Sequence, residues 1–463
     1  MHRLWTVLTA IMLSIAGLVA VSPTAAAGGE DIVDRLKTVP GLTVIAERPA
    51  PAPYRFFLLS YTQDADHHNP AAGTFQQRLT LLHVSTDRPM VLHTTGYNVP
   101  ETPFRSEPTQ VLDGNQISVE ERFFTPSRPD PANWSDLDIW QAATDHHRLV
   151  EALKPIYPGG WISTGASKGG MASVYHHRFY PGDVDGTVAY VAPDDVFNDE
   201  DSAYDRFFAT VGTPECRAAI RSLQIEALHR RDRLVPRYAA WAKNNDESFT
   251  EFVGDVDHAF EYLVAEAAWA FWQYSKAADC AAVPPTNAPD DQVLAWFDKV
   301  NGFTGYTDRD NQKFVPYYYQ ASTQLGYPLV HYPHLAGLLR YPPSTARTFV
   351  PREIPTRFHP TAMVGIDLWV KLRGQRLMFV YGQNDPWGAE PFRLGPGTRD
   401  SYWYQAVGAN HGANISQLTN AERDQATSAL RRWATVSTPT YAARVAGLDD
   451  WNPALDRSFA TSR

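Results

Sequence analysis

The chain has 463 residues, of which 44% are hydrophobic and 12% aromatic, a composition that excludes a disordered protein and allows a large buried core. Its 41 Lys and Arg residues against 51 Asp and Glu residues give a formal net charge of −10, which argues against nucleic acid as a partner. This length accommodates a catalytic domain together with an insertion.

The N-terminus has the features of a secretory signal peptide. Arg3 precedes an apolar stretch over residues 4–21, and small alanine residues follow at 25–27. We therefore predict a signal peptide over residues 1–27, cleaved near Ala27/Gly28, and a secreted, extracellular protein. Because no cysteine follows the apolar stretch closely and no later run approaches the roughly 20 apolar residues of a membrane span, we expect neither a lipid anchor nor a membrane span.

The first part of the mature chain predicts a sheet. Apolar and alternating runs at residues 55–61, 75–84, 90–94 and 117–124 predict strands, and residues 135–153 predict a helix. Another core strand is predicted over 186–191. We assign residues 28–195 and 370–463 to one catalytic domain.

A sharp turn follows the next predicted strand. Residues 165–169 read Gly-Ala-Ser-Lys-Gly between an apolar run at 161–164 and a helical stretch at 171–179. This strand, turn and helix context is that of a G-x-S-x-G nucleophile elbow, in which the glycines permit a strained, close backbone and the serine is exposed. Ser167 is therefore the candidate nucleophile.

The stretch between the two parts of the catalytic domain has a different pattern. Apolar residues recur at helical spacing, and prolines punctuate the intervening loops, which predicts a mostly helical cap over residues 196–369. The helical positions are Phe260, Leu263, Val264, Ala267, Ala268, Phe271 and Trp272. The chain has two cysteines, Cys216 and Cys280, for which an exported protein favours a disulfide; two free buried thiols are the alternative.

Candidate partners for the serine follow the cap in the chain. A buried strand over 377–381 leads into a loop that carries Asp385, and a strand over 402–407 leads into a loop that carries His411. The order Ser, Asp, His is that of an α/β-hydrolase fold with a cap inserted between the nucleophile half and the Asp/His half. The oxyanion would be bound by the backbone N–H of Lys168 and by that of Gly96 or Tyr97.

Several segments, within these motifs and outside them, resemble a known family of serine peptidases. The sequence is similar to prolyl carboxypeptidase and dipeptidyl peptidase relatives, and more so to their sister family, the bacterial secreted tripeptidyl aminopeptidases. The segments are DHHNP at 66–70, GTFQQR at 73–78, EERFF at 120–124, GGM at 169–171, YQASTQLGY at 319–327 and GQNDPW at 382–387. Ser322, Gln324 and Lys168 depart from the residues usual in the prolyl carboxypeptidase side, so neither its proline preference nor its substrate anchors are carried over.

The resemblance implies a serine exopeptidase that releases tripeptides from peptides with a free N-terminus. Such an enzyme needs a wall that limits the substrate and an acid that pairs with its α-ammonium. Glu120 and Glu121 are candidate anchors, although one of them could instead pair with Arg122 to hold a loop. We expect the Lys168 ammonium to be exposed or paired with a cap carboxylate, and the tyrosines at 317–319 to pack in a core.

Two other classes stay open. An elbow and a cap serve an esterase or lipase equally well, and a catalytically silent binding protein could keep the fold. No cofactor or metal is expected, because the chain has no H-E-x-x-H or C-x-x-C motif and its paired histidines are adjacent in sequence. Oligomeric state and side-chain preference do not follow from these patterns.

Overall fold

The computed structural model describes residues 30–436 and 444–449, and within these residues nine strands form one sheet in the order β1-β2-β3-β5-β4-β6-β7-β8-β9. The strands are β1 Leu42–Arg48, β2 Arg55–Asp64, β3 Thr74–His83, β4 Met90–Thr94, β5 Asn115–Val119, β6 Trp161–Ala166, β7 Gly186–Tyr190, β8 Leu377–Gly382 and β9 Tyr402–Ala406. The strands from β1 through β3 to β5 pair antiparallel, and those from β5 through β4 to β9 pair parallel.

Helices cover both faces of this sheet, as its central, wholly buried strands require. One face carries α1 Ile32–Lys37, α3 Ile139–Leu153, α4 Lys168–Phe179 and α12 Thr361–Arg373, and the other carries α2 Glu107–Leu112 and α13 Asn420–Trp433. Alternate residues of β7 and β8 point to the two faces, since Val188 and Met378 belong to one core cluster and Ala189 and Phe379 to the other. The architecture is an α/β-hydrolase fold.

Between β7 and β8 the chain forms a helical segment with its own core. It contains α5 Ser202–Thr210, α6 Pro214–His229, α7 Arg231–Asn244, α8 Val256–Ala265, α9 Ala267–Tyr274, α10 Asp290–Asn301 and α11 Asp308–Gln320. The periodic run at 260–272 is thus two helices separated at Glu266. Tyr97, Phe123 and Phe124 belong to the same core cluster, so this segment packs directly against loops that follow β4 and β5.

The structure corrects several expected boundaries. The expected start of the second catalytic segment, at 370, falls inside α12, which packs on α4 beneath the sheet, so the helical segment ends before residue 361. The strand predicted over 117–124 ends at Val119, which leaves Glu120 and Glu121 in a loop. Edge strand β1 was not predicted, because its apolar pattern is interrupted by exposed residues such as Ile45.

The two cysteines form the expected disulfide, and the Cα atoms of Cys216 and Cys280 lie 5.4 Å apart. It joins α6 to the turn that follows α9, both in the helical segment. Across residues 30–436 and 444–449, none of the helices is both long and apolar enough to cross a membrane. The predicted signal peptide over residues 1–27 lies outside the described residues and stays a prediction.

Candidate active site

Ser167 lies at the turn between β6 and α4 with a strained backbone. Its φ of 55° and ψ of −128° are rarely adopted by a residue with a side chain, and such strain concentrates at functional sites. The backbone N–H of Ser167 donates to the carbonyl of Tyr190 at 2.8 Å, which ties the turn to the end of β7. A Cβ at Gly165 would overlap the backbone of Gly169, so the two flanking glycines are required by close packing.

Asp385 and His411 form a hydrogen-bonded pair at the same edge of the sheet. Asp385 follows β8, is buried, and accepts from the backbone N–H of Trp387 at 3.1 Å. Its other oxygen lies 2.8 Å from His411 Nδ1, and His411 follows β9. The Nε2 atom of His411 is buried and has no hydrogen-bond partner in the described part of the chain. Because a carboxylate next to Nδ1 favours the proton there, Nε2 is left as a proton acceptor.

The carboxyl ends of β6, β8 and β9 meet at one edge because these strands are parallel. Ser167, Asp385 and His411 each follow one of these strand ends. The three residues that the sequence suggests as a catalytic triad therefore lie at the same edge of the sheet. The helical segment also reaches this edge: the backbone N–H of His411 donates to the carbonyl of Gln273 in α9 at 3.1 Å.

The loop after β4 touches the start of α4. A Cβ at Gly96, whose φ is 73°, would lie 2.6 Å from the backbone nitrogen of Gly169, so only glycine allows this contact. The backbone N–H of Tyr97 donates to Thr95 Oγ1 at 3.1 Å, whereas that of Gly96 has no acceptor among the described residues. Lys168 is the first residue of α4, where N–H groups lack an intrahelical acceptor. Of the two expected loop donors, Gly96 is therefore the one with a free N–H.

The side chain of Lys168 is buried, contrary to the expectation that it is exposed or paired with the cap. Its Nζ donates to the carbonyl of Gly96 at 2.7 Å and lies 3.1 Å from Glu121 Oε1, in the loop after β5. The rings of Tyr97 and Phe124 each lie 5.6 Å from the ammonium. Desolvation by burial lowers the pKa of Lys168, and the Glu121 carboxylate opposes that shift.

Glu120 does not face the cleft as a free acid. It is fully buried, and its carboxylate accepts from Arg78 Nε at 3.0 Å, from the Val99 N–H at 3.0 Å and from Ser127 Oγ at 2.8 Å. These bonds hold the loops after β4 and β5 together, so we correct its expected role as a substrate anchor to a structural one. Neither glutamate pairs with Arg122, which binds Asp145 instead at 2.7 Å.

Sequence reasoning missed a further buried acid at this edge. Asp195 follows β7 and is only 4% exposed, yet neither of its carboxylate oxygens has a hydrogen-bond partner among residues 30–436 and 444–449. Burial, and then the nearby acids Glu390, Asp201 and Asp199, raise its pKa to about 8. The signal available in the sequence was an Asp-Asp pair at 194–195, a few residues beyond a core strand, where functional residues of a parallel sheet collect.

The fold and this arrangement of side chains define an α/β-hydrolase with the elements of a serine hydrolase site. The PS-10 peptidase S37 family matches residues 25–461, and the chain belongs to this family. It is a serine peptidase.

The chain is also similar to several individual proteins with known names. The chain is 54% identical over 410 residues to the prolyl tri/tetrapeptidyl aminopeptidase of Streptomyces mobaraensis, an alignment that covers 88% of this chain and 86% of that protein. Among solved structures, a post-proline cleaving enzyme from Rickettsia typhi is similar with 10% identity and a TM-score of 0.35, over 83% of this chain and 38% of that one. A peroxisomal alpha-beta-hydrolase from Saccharomyces cerevisiae has 10% identity and a TM-score of 0.35, over 89% of this chain and 97% of that one.

Proposed function

We propose that this protein is an exported serine aminopeptidase that removes tripeptides or tetrapeptides from a free N-terminus. Ser167 is the nucleophile, His411 the general base and Asp385 the residue that orients it. The observation that carries the proposal is the pair of Asp385 and His411 beside the elbow, with a distance of 2.8 Å and a buried, unpartnered Nε2. The length of the released peptide rests on the name of the Streptomyces mobaraensis relative.

The chemistry follows from these groups. Ser167 Oγ attacks the carbonyl carbon of the scissile bond while His411 Nε2 takes its proton, and Asp385 stabilises the imidazolium that forms. The negatively charged oxygen is stabilised by the N–H groups of Gly96 and Lys168. His411 then gives the proton to the leaving amine, which departs from the acyl-enzyme. A water molecule, activated by the same imidazole, releases the short peptide and restores the serine.

Residues 196–360 act in this proposal as a cap that closes the end of the cleft that holds the N-terminal residues of the substrate. Two hydrogen bonds join α9 and its C-terminal end to the loop of the catalytic base, from the His411 N–H to Gln273 at 3.1 Å and from Asn410 Nδ2 to Ser275 at 3.1 Å. A wall fixed this close to His411 would limit how many residues fit before the scissile bond.

A preference for proline before the scissile bond is part of the proposal, by analogy with the named relative. A buried aromatic cluster lies beside the oxyanion loop, where the Tyr97 ring packs against Phe124 and Tyr317 with centroids 5.6 Å and 5.8 Å apart. The flat, apolar ring of proline would pack well against such a cluster. All three tyrosines at 317–319 are buried, as expected of packing residues, and Tyr317 also belongs to the aromatic cluster beside the oxyanion loop.

The test uses the purified mature protein and four chromogenic substrates. These are Ala-Ala-Pro-p-nitroanilide with a free amine, its N-acetylated form, Ala-Ala-Ala-p-nitroanilide with a free amine, and p-nitrophenyl butyrate. An aminopeptidase of this specificity should prefer the first over the second and third by at least tenfold in kcat/KM. Equal rates on acetylated and free substrates would reject the proposal, and rapid turnover of the butyrate alone would favour an esterase.

A further inference from the structure

Asp195 is a buried acid beyond β7 whose carboxylate has no ion-pair or hydrogen-bond partner among the described residues, in contrast to Glu120 and Glu121. Glu120 binds Arg78, and Glu121 binds Lys168 at 3.1 Å. Each of those glutamates already has a cation beside it, so an incoming ammonium would gain less from them, although Glu121 Oε2 has no hydrogen-bond partner among the described residues. A buried carboxylate with no partner is costly in an empty enzyme, and it is expected where a ligand supplies the missing positive charge.

The surroundings of Asp195 contain a second unpartnered group. Tyr204, in α5, is fully buried, and its hydroxyl has no hydrogen-bond partner in the described ranges. Burial and the Asp195 carboxyl raise the pKa of Tyr204, which places the two side chains within electrostatic reach. Gly326 has no side chain where it contacts Asp195, and any Cβ there would collide with the carboxylate. Only glycine at position 326 lets the backbone approach the carboxylate this closely.

An aromatic wall runs from Tyr204 to the proposed catalytic histidine. The ring of Tyr204 lies 5.5 Å from that of Trp269, which lies 4.9 Å from Trp387. Trp387 lies in turn 6.3 Å from the His411 ring. The Nε1 atom of Trp387 is buried and has no partner among the residues described, like the Tyr204 hydroxyl. A substrate backbone along this wall would offer carbonyl oxygens to both donors.

The largest possible distance between Ser167 and Asp195 is compatible with the length of a bound tripeptide or tetrapeptide. The backbone N–H of Ser167 donates a hydrogen bond to the carbonyl of Tyr190. Asp195 lies five residues after Tyr190 in the chain, and five residues span at most roughly 17 Å. Three or four extended substrate residues span roughly 10 to 14 Å. The acid is therefore within reach of the N-terminus of a peptide whose third or fourth carbonyl lies at Ser167.

We propose that Asp195 binds the α-ammonium of the substrate, with the Tyr204 hydroxyl beside it, and thereby fixes the number of residues released. This inference rests on the proposed aminopeptidase function and names its specificity-determining residue. The group that binds is a primary ammonium at the end of an extended peptide. Glu121 keeps its partner Lys168 and helps to shape the oxyanion loop instead.

The experiment compares Asp195→Asn, Asp195→Ser and Glu121→Gln with the wild type. Each is assayed on free Ala-Ala-Pro-p-nitroanilide and on propionyl-Ala-Pro-p-nitroanilide, which lacks only the amine. Without the acid, kcat/KM for the free-amine substrate should fall by roughly 30-fold to several thousandfold, and most of the loss should appear in KM. The rate on the amine-free substrate should change by less than threefold. The preference for the free amine should persist in Glu121→Gln.

Two controls separate this inference from the proposed function. Glu390→Gln changes an acid of the same neighbourhood, and it should keep the preference for the free amine. Reaction with a fluorophosphonate probe reports the nucleophile without an N-terminal amine, so wild type and both Asp195 variants should react at similar rates. If both Asp195 variants are labelled normally and retain the preference for the free amine, Asp195 is not the anchor even though the enzyme is a serine peptidase. A transfer of the effect to Glu121 or Glu390 would likewise overturn the inference.

Discussion

Replacement of Lys168 by methionine tests whether the buried pair with Glu121 supports the oxyanion loop. Methionine keeps the apolar stem but removes the ammonium, which lies 3.1 Å from Glu121 Oε1 and 2.7 Å from the Gly96 carbonyl oxygen. Removing one partner of a buried ion pair costs about 3 to 5 kcal/mol, because the remaining charge is desolvated and unpaired. We therefore expect the free energy of unfolding of Lys168→Met to fall by about that amount.

The double variant Lys168→Met/Glu121→Gln provides the decisive comparison. It removes both charges and should recover most of the loss, leaving about 1 to 2 kcal/mol for the unsatisfied Gly96 carbonyl. Urea unfolding at pH 7, followed by tryptophan fluorescence, measures these differences. The matched control is Lys313→Met, whose side chain is 59% exposed in a pair with Asp310 and whose loss should stay within about 0.5 kcal/mol. A loss below about 1 kcal/mol for Lys168→Met, or no recovery in the double variant, would refute the reasoning.

Three further results are expected. Gly96→Ala should lower kcat by about 100-fold to 1,000-fold with a smaller effect on KM, because its Cβ would lie 2.6 Å from a backbone nitrogen of α4; Gly182→Ala, with open space around it, is the control in the same kinetic assay. Loss of the disulfide in Cys216→Ser/Cys280→Ser, which closes a loop with a sequence separation of 64, should destabilise the helical segment by about 4 kcal/mol, and hydrogen exchange should show protection falling there before it falls in the sheet. Asp195→Asn should melt above wild type by a margin that grows between pH 5 and pH 8. Burial raises the pKa of Asp195 in the folded protein to about 8, above its ordinary value of 3.8, so the wild type loses stability as the pH rises through that window, by at most about 1.4 kcal/mol per pH unit. A constant margin in melting temperature would contradict this.

Local signals in the sequence were sufficient for the elements that position the site. The signals are the glycines around Ser167 and the apolar runs before Ser167, Asp385 and His411. They act over a few neighbouring residues, and the structure has a turn and strands at those places. The disulfide was also predictable, because a chain with a predicted signal peptide favours disulfides and two cysteines allow only one intramolecular pairing.

Contacts between distant segments were not predictable in this way. Glu120 and Glu121 look alike in sequence, but one meets Arg78 from β3 and the other Lys168 from α4. The isolation of Asp195 depends on what the helical segment places beside it, including the absence of a side chain at Gly326. Such features arise where the helical segment packs against the catalytic domain, and they produce no hydrophobic periodicity in the sequence of either.

The most direct measurement of the proposed chemistry is the location of a fluorophosphonate adduct on the mature protein, read by peptide mass spectrometry. A single adduct on Ser167 is predicted, with loss of labelling in Ser167→Ala and at least a hundredfold slower labelling in His411→Ala. The same Ser167→Ala variant should lose nearly all peptidase activity, on the order of 10⁶-fold. An adduct on another residue, or more than a few percent of wild-type turnover in Ser167→Ala, would contradict the assignment of Ser167 as the nucleophile.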